Sequence, residues 1–275
     1  MTHEAGNPAR QWLVKHDGIC SECGAALIRG VPAVWDRTTR SIHCIECPSV
    51  LSRTAPIPVD SGVAGDSAQR EFERRKAKRD ADIDRRFGRL AKVVRAVTIE
   101  PQTTRSWARG AVGEQRIGAV LAEIPGLNAL HDRRVPGTRG NIDHLVISQA
   151  GVFVVDTKKL AGIVEIRNRG WLLRPDYRLT VGRRDRSSLA RNMNWQLEAV
   201  AAALGRAGPG PLPRITPVLC FVGASWPLIA PPHEFEGVLL EGERSIKRLL
   251  ARPGDLDSTE IERLTRLLAS ALPPK

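Results

Sequence analysis

Apolar positions change their period several times along the chain, and each change predicts an element. Over residues 110–124, Val112, Ile117, Val120, Leu121 and Ile124 fall on or near one face at helical spacing. Two apolar runs follow, at 141–148 and 151–159, and predict two strands joined by a short turn. Residues 163–168, with 170–175 as a continuation, read as a third strand. A second long helix is predicted over 187–207, a buried strand at 215–223 and a short strand at 237–242. Two helices close the chain at 245–252 and 257–272, and any of Asp257, Ser258 and Thr259 suits the cap of the last one. This alternation after Pro101 is that of an α/β domain.

The chain before Pro101 reads differently. Residues 57–69 are small and polar and contain Gly and Pro, the composition of a linker. Residues 70–95 are dense in charge, without Pro, and predict a helix. Ile83, Phe87, Leu90 and Val94 give its second half an apolar stripe, while its first half reads as a solvated spacer or a basic strut along nucleic acid. The expected organisation is therefore a small domain over 1–56, a linker and charged helix over 57–100, and an α/β domain over 101–275.

Composition narrows the function. Forty-two Lys and Arg against thirty Asp and Glu give a formal net charge of +12, which favours polyanionic partners such as nucleic acid or an acidic membrane. No apolar stretch is long enough to span a bilayer and the first residues show no secretory leader, so a cytoplasmic protein with no membrane partner is expected. Thiols stay reduced there, and clustered cysteines then point to metal. Four of the five cysteines form two matched pairs, Cys20-x-x-Cys23 and Cys44-x-x-Cys47, separated by twenty residues. That is the spacing of a structural zinc site closed by four thiolates. Gly24 and Pro48 suit the knuckle turns, and the segment between the pairs reads as a hairpin turning near residues 36–39. The result resembles a zinc ribbon. His43 reads as a bystander and Cys220 as a core thiol.

The segment 141–162 carries the second candidate site. If Gln149 and Ala150 form the turn, Ser148 faces Gly151 and Asp143 faces Asp156, with Cβ atoms about 4.5–5.5 Å apart. Lys158, two residues on, shares that face. Opposed carboxylates repel, and a divalent cation held by oxygen ligands would compensate. A surface Asp–Lys pair beside an unrelated aspartate is the alternative, and the residues alone leave both open. His144 points to the other face and reads as a packing histidine.

Gly113-Glu114, Asn141-Ile142-Asp143-His144, the run from Gly151 through Asp156-Thr157-Lys158, and Gly162, taken in this order, resemble the nuclease-related domain (NERD) family. That family is assigned to the PD-(D/E)XK group. The resemblance implies a restriction-endonuclease-like mixed sheet flanked by helices, here preceded by the zinc ribbon and the charged helix. It implies that Glu114 is the leading acidic residue, that Asp143 and Asp156 bind metal, that Lys158 is the catalytic lysine and that Gln196 accompanies the site. Asp156 stands where many relatives carry Glu, which shortens the ligand's reach.

The expected activity is Mg2+- or Mn2+-dependent hydrolysis of phosphodiester bonds in DNA, or in RNA. The Thr157 carbonyl would complete the ligand set, and Arg133, Arg134 and Arg139 would touch phosphates. An inactive nucleic-acid-binding or adaptor protein that retains the fold is the competing reading. The zinc ribbon could also recruit a protein partner.

Overall fold

The computed structural model describes residues 11–21, 23–36, 40–45, 59–98, 101–171, 174–206 and 212–275. The chain divides into two compact units, Met1–Pro58 and Val59–Lys275.

The first unit contains β1 (Gln11–Leu13), β2 (Gly18–Ile19), β3 (Ala26–Leu27), β4 (Pro32–Asp36) and β5 (Ser41–Cys44). Strands β1, β4 and β5 form an antiparallel sheet, and β2 pairs with β3. Asp36 pairs with Ser41, so a hairpin turns where the sequence suggests, although residues 37–39 at its tip lie outside the described residues. Among the described residues the buried core is small, with Val14, Cys20, Leu27 and Ala33.

The second unit begins with α1 (Asp66–Phe87), a single 3-10 turn, and α2 (Ala91–Val97). After α3 (Gln102–Ala122) come β6 (Asn128–Arg134), β7 (Asn141–Ser148), β8 (Gly151–Asn168), β9 (Tyr177–Val181) and β10 (Arg184–Asp185). Helices α4 (Ser188–Arg191) and α5 (Asn194–Gly205) lead to β11 (Ile215–Ser225), β12 (Glu234–Phe235) and β13 (Val238–Gly242), then α6 (Ser245–Leu250) and α7 (Ser258–Ala271).

The sheet is mixed. Strand β8 runs parallel to β11, and β11 parallel to β13, while β6, β7 and β8 pair antiparallel. Alternation along β8 sends Phe153 and Val155 to one face, where they pack with Ile117 and Leu121 of α3 and with Ile246 of α6. Val152 and Val154 go to the other face, with Val200 of α5 and Leu264 of α7. The architecture is thus a mixed sheet between two layers of helices, as expected.

Several local expectations change. The separate third strand at 163–168 is the outer half of β8, which runs on for 18 residues past a bulge near Leu160 and a bend at Gly162, φ 114°. Trp171 pairs with Arg174 in an isolated bridge instead of continuing the strand, and residues 172 and 173 lie outside the described residues. Helix α3 starts at Gln102, directly after Pro101, which fixes its own φ near the helical value and has no N–H to lose. The helix expected over 187–207 is two helices; Ser187, ahead of the first, is tied to β9 by the Leu179 N–H donating to its hydroxyl at 3.0 Å. Asp257 is the cap of α7, accepting from the Glu260 N–H at 2.8 Å.

The linker reading fails for residues 59–69, which pack on the sheet. Val59 lies against the core, the His131 N–H donates to the Ser61 carbonyl at 2.6 Å, and a Cβ on Gly62 would strike the His131 carbonyl. Asp132 then holds the start of α1, accepting from the Ser67 N–H at 2.5 Å and the Ser67 hydroxyl at 2.8 Å. A buried carboxylate at a helix N-terminus satisfies otherwise orphaned donors. Small residues in this stretch serve close approach rather than flexibility.

Candidate functional site

Strand β8 has two partners on one edge. Strand β7 pairs up to Val155, the pairing of β9 begins at Val164, and no ladder fills the interval among the described residues. The register is the one assumed from sequence: Ser148 faces Gly151 and His144 faces Val155. One step further the two strands part. The Thr157 N–H, freed from the ladder, donates to the Asp143 carboxylate at 2.9 Å. A cavity of about 850 Å3 opens at this gap, lined by Asp143, Thr157 and Lys158 from the strands and by Glu114 from α3.

Asp156 does not line the cavity but holds Lys158, with Oδ2 2.7 Å from Nζ. Lys158 also donates to the Thr157 carbonyl at 3.3 Å. Helix α3 reaches the strand closely because Gly113 faces it: a Cβ there would lie 3.1 Å from the Lys159 Cβ. Glu114, the next residue, is buried, and its Oε2 has no hydrogen-bond partner among the described residues.

The electrostatics follow from burial. Glu114 is pushed up to about 9, first by burial, then by Asp143 and Asp132. Asp143 is pushed up to about 7 by burial and by Asp156, against the pull of Lys158. For Lys158, burial acts downward, but Asp156 and Asp143 outweigh it and the ammonium is held charged. The site is thus a buried group of carboxylates around one cation, short of positive charge. The three carboxylates do not crowd onto a point. Among the described residues, the only group of three or more His, Cys, Asp or Glu whose ligand atoms all lie within 4.8 Å is Cys20, Cys23 and Cys44.

That cysteine cluster is built by two turns. The Cys20 N–H donates to the Ala25 carbonyl and the Gly24 N–H to the Cys20 carbonyl, with Gly24 at φ 71°, as its place after Cys23 suggested. The Cys23 and Cys44 sulfurs are 3.5 Å apart, and the Cys44 N–H donates to the Cys20 sulfur at 3.4 Å. These three cysteines could bind a metal such as zinc. Cys47 and Pro48 lie outside the described residues. His43 is buried with its Nε2 2.8 Å from the Ser41 hydroxyl.

Other expected residues fall elsewhere. Gln196 is buried on α5, is not among the residues lining the cavity, and its Oε1 has no hydrogen-bond partner among the described residues. Arg133 is a structural residue, not a phosphate contact. It is fully buried and donates to the carbonyls of Leu272, Asp60 and Ala269 at 2.5, 2.8 and 2.8 Å. Arg134 and Arg139 are exposed. His144 is fully buried, its Nδ1 2.8 Å from that of His131. Cys220 is buried in the core, and burial raises its thiol. Sequence reasoning missed Asp132, whose strand β6 shows no clear alternation, and the cavity walls formed by Trp107, Arg109, Arg184 and Arg186. Only their proximity in space marks them.

With this geometry in hand, comparison with known proteins adds one match. Residues 109–222 match the family model described as NERD, nuclease-related domain. The matched stretch runs from α3 into β11 and contains Glu114, Asp143, Asp156, Lys158 and Gln196. It supports a nuclease-related domain over that part of the chain. Among curated proteins and among solved structures, none matches the chain. No helix among the described residues is long and apolar enough to cross a membrane.

Proposed function

We propose that the chain is a divalent-cation-dependent nuclease of the PD-(D/E)XK group that hydrolyses phosphodiester bonds, in DNA before RNA. The observation that carries this reading is the buried carboxylate group at the strand gap with Lys158 as its single internal cation. Burying like charges is costly unless protons or a cation compensate. The donors are all oxygens, which suits Mg2+ or Mn2+. Asp143, Asp156 and the Thr157 carbonyl are the residues that would hold the ion, with Glu114 acting through a water. The Lys158 ammonium already lies against two of these groups. When bound, the ion supplies charge stabilisation at the phosphate and a more acidic water.

The remaining work belongs to the chain. Lys158, kept charged by its neighbours, neutralises charge growing on the phosphate and orients the attacking water. Arg109, Arg184, Arg186 and Lys159 on the cavity walls receive neighbouring phosphates. Gln196, outside the cavity lining, takes no part in the step. In the first unit, Cys20, Cys23 and Cys44, with Cys47 as the fourth ligand, hold a structural zinc. Sulfurs within 4.8 Å suit a tetrahedron with bonds of about 2.3 Å. This zinc ribbon and the basic α1 help to bind nucleic acid, and the protein works in the cytoplasm.

Purified chain incubated with assorted nucleic acids tests the reading. Cleavage with Mg2+ or Mn2+, and none with chelator, is expected. Intact nucleic acid under all conditions would leave a binding protein in its place.

A further inference from the structure

We propose that the outer half of β8 and β9 form an arm that grips single-stranded nucleic acid, with Trp171 stacking on an unpaired base. The inference rests on the nuclease reading and names its substrate class. Four observations carry it. First, the arm grows out of the cavity: Lys159, Ala161, Gly182 and Arg184 line the cavity, and the paired strands leave from there. At its root a Cβ on Gly162 would collide with Gly182, so the two strands cross as closely as backbones allow. Second, residues 163–186 hold seven arginines against three acidic residues. Arg167 and Arg178 are paired with acids, while Arg169, Arg174, Arg183 and Arg184 are exposed and make no ion pair among the described residues.

Third, Trp171 is 81% exposed and Tyr177 59%, with no ring partner for either among the described residues. Large exposed aromatics amid unpaired arginines form a stacking platform on a basic track, which takes bases of any sequence once they are unpaired. Fourth, the arm is long. At about 3.3 Å per residue, Trp171 stands up to ~40 Å along the strand from Lys158, so only a strand of about ten nucleotides or more reaches both. Duplex ends keep their bases stacked and offer Trp171 nothing.

Binding of labelled oligonucleotides to the full chain in chelator tests the arm. Trp171→Ala should weaken a single strand of about twenty nucleotides roughly tenfold or more. It should leave a strand of about four nucleotides and a blunt duplex unchanged, and Trp171→Phe should restore most of the affinity. Because Trp171 is exposed, its loss leaves the core intact. Unchanged affinity for the long strand, or equal losses on strand and duplex, overturns the proposal. Binding to anionic vesicles that depends on Trp171, with no effect on oligonucleotides, assigns the arm to a lipid surface and also overturns it. Cleavage without Trp171-dependent binding removes the arm alone; Trp171-dependent binding without cleavage removes the nuclease reading alone.

Discussion

The cysteine cluster and the carboxylate cavity are both candidate metal sites, and they depend on their surroundings in opposite ways. Cys20, Cys23 and Cys44 sit in a unit whose buried core, among the described residues, is four small or medium side chains. Such a core is too small to hold a fold without help. Asp143, Asp156 and Lys158 are carried by a sheet packed on both faces. There the fold is strong enough to bury carboxylates at a loss. A metal that makes a fold and a metal that uses one are different objects, and the difference sets what breaks each.

The largest expected effect is at the cysteines. Cys20→Ser or Cys44→Ser should release one zinc per chain and unfold the first unit, as small zinc domains do without metal. The second unit should melt unchanged. Elemental analysis with circular dichroism checks both, and an ordered, metal-free first unit would erase the contrast.

At the carboxylates the metal should add stability without making the fold. Mn2+ at a hundredfold excess over its dissociation constant adds about 2.7 kcal/mol, read as a raised melting temperature. Asp143→Asn should abolish that gain. Lys158→Ala should keep or increase it, because the Lys158 ammonium occupies the same oxygens as the ion would.

Asp132 offers a smaller test. Asp132→Ala strips the acceptor from the Ser67 N–H and hydroxyl and from the Asn141 amide. A loss of about 1–3 kcal/mol is expected, with earlier proteolysis within α1. A fragment beginning near residue 101 should show the same weakness, since α1 packs on the domain it would leave.

The pH dependence is the most gradual effect, spread over several units. Glu114 and Asp143 are raised in the fold to about 9 and about 7, so the native state holds protons that the unfolded chain releases above its ordinary carboxyl range. Metal-free stability should therefore fall as pH rises from about 5 towards 9, by up to ~1.4 kcal/mol per pH unit for each carboxyl. Glu114→Gln should flatten the upper part of that slope. A wild-type slope of the opposite sign would mean the carboxylates are compensated already.

What was legible in the sequence follows the same divide. Cysteine spacing is local, so the three described cysteines that could bind a metal could be read directly. The register of the hairpin was legible because its turn is two residues long, although the ladder stops at His144 and Val155, one step short of Asp143 and Asp156. Glu114 came through resemblance, since a glutamate in a helix carries no mark of its partner. Arg184 and Arg186 were invisible because the fold brings them to the cavity from the two-residue β10 and the residue after it, and Asp132, which acts on Glu114 without lining the cavity, because β6 shows no clear hydrophobic period. Residues 59–69 misled because small residues needed for close packing have the composition of a linker.

The most direct test of the central claim is the rate at which the full chain cuts nucleic acid in Mn2+, measured side by side for wild type, Asp143→Asn and Lys158→Ala. Wild type should cleave and both variants should lose activity by several orders of magnitude, although Lys158→Ala still binds Mn2+. Equal cleavage by all three, or none by wild type, would contradict the assignment of the strand-gap cavity as a nuclease site.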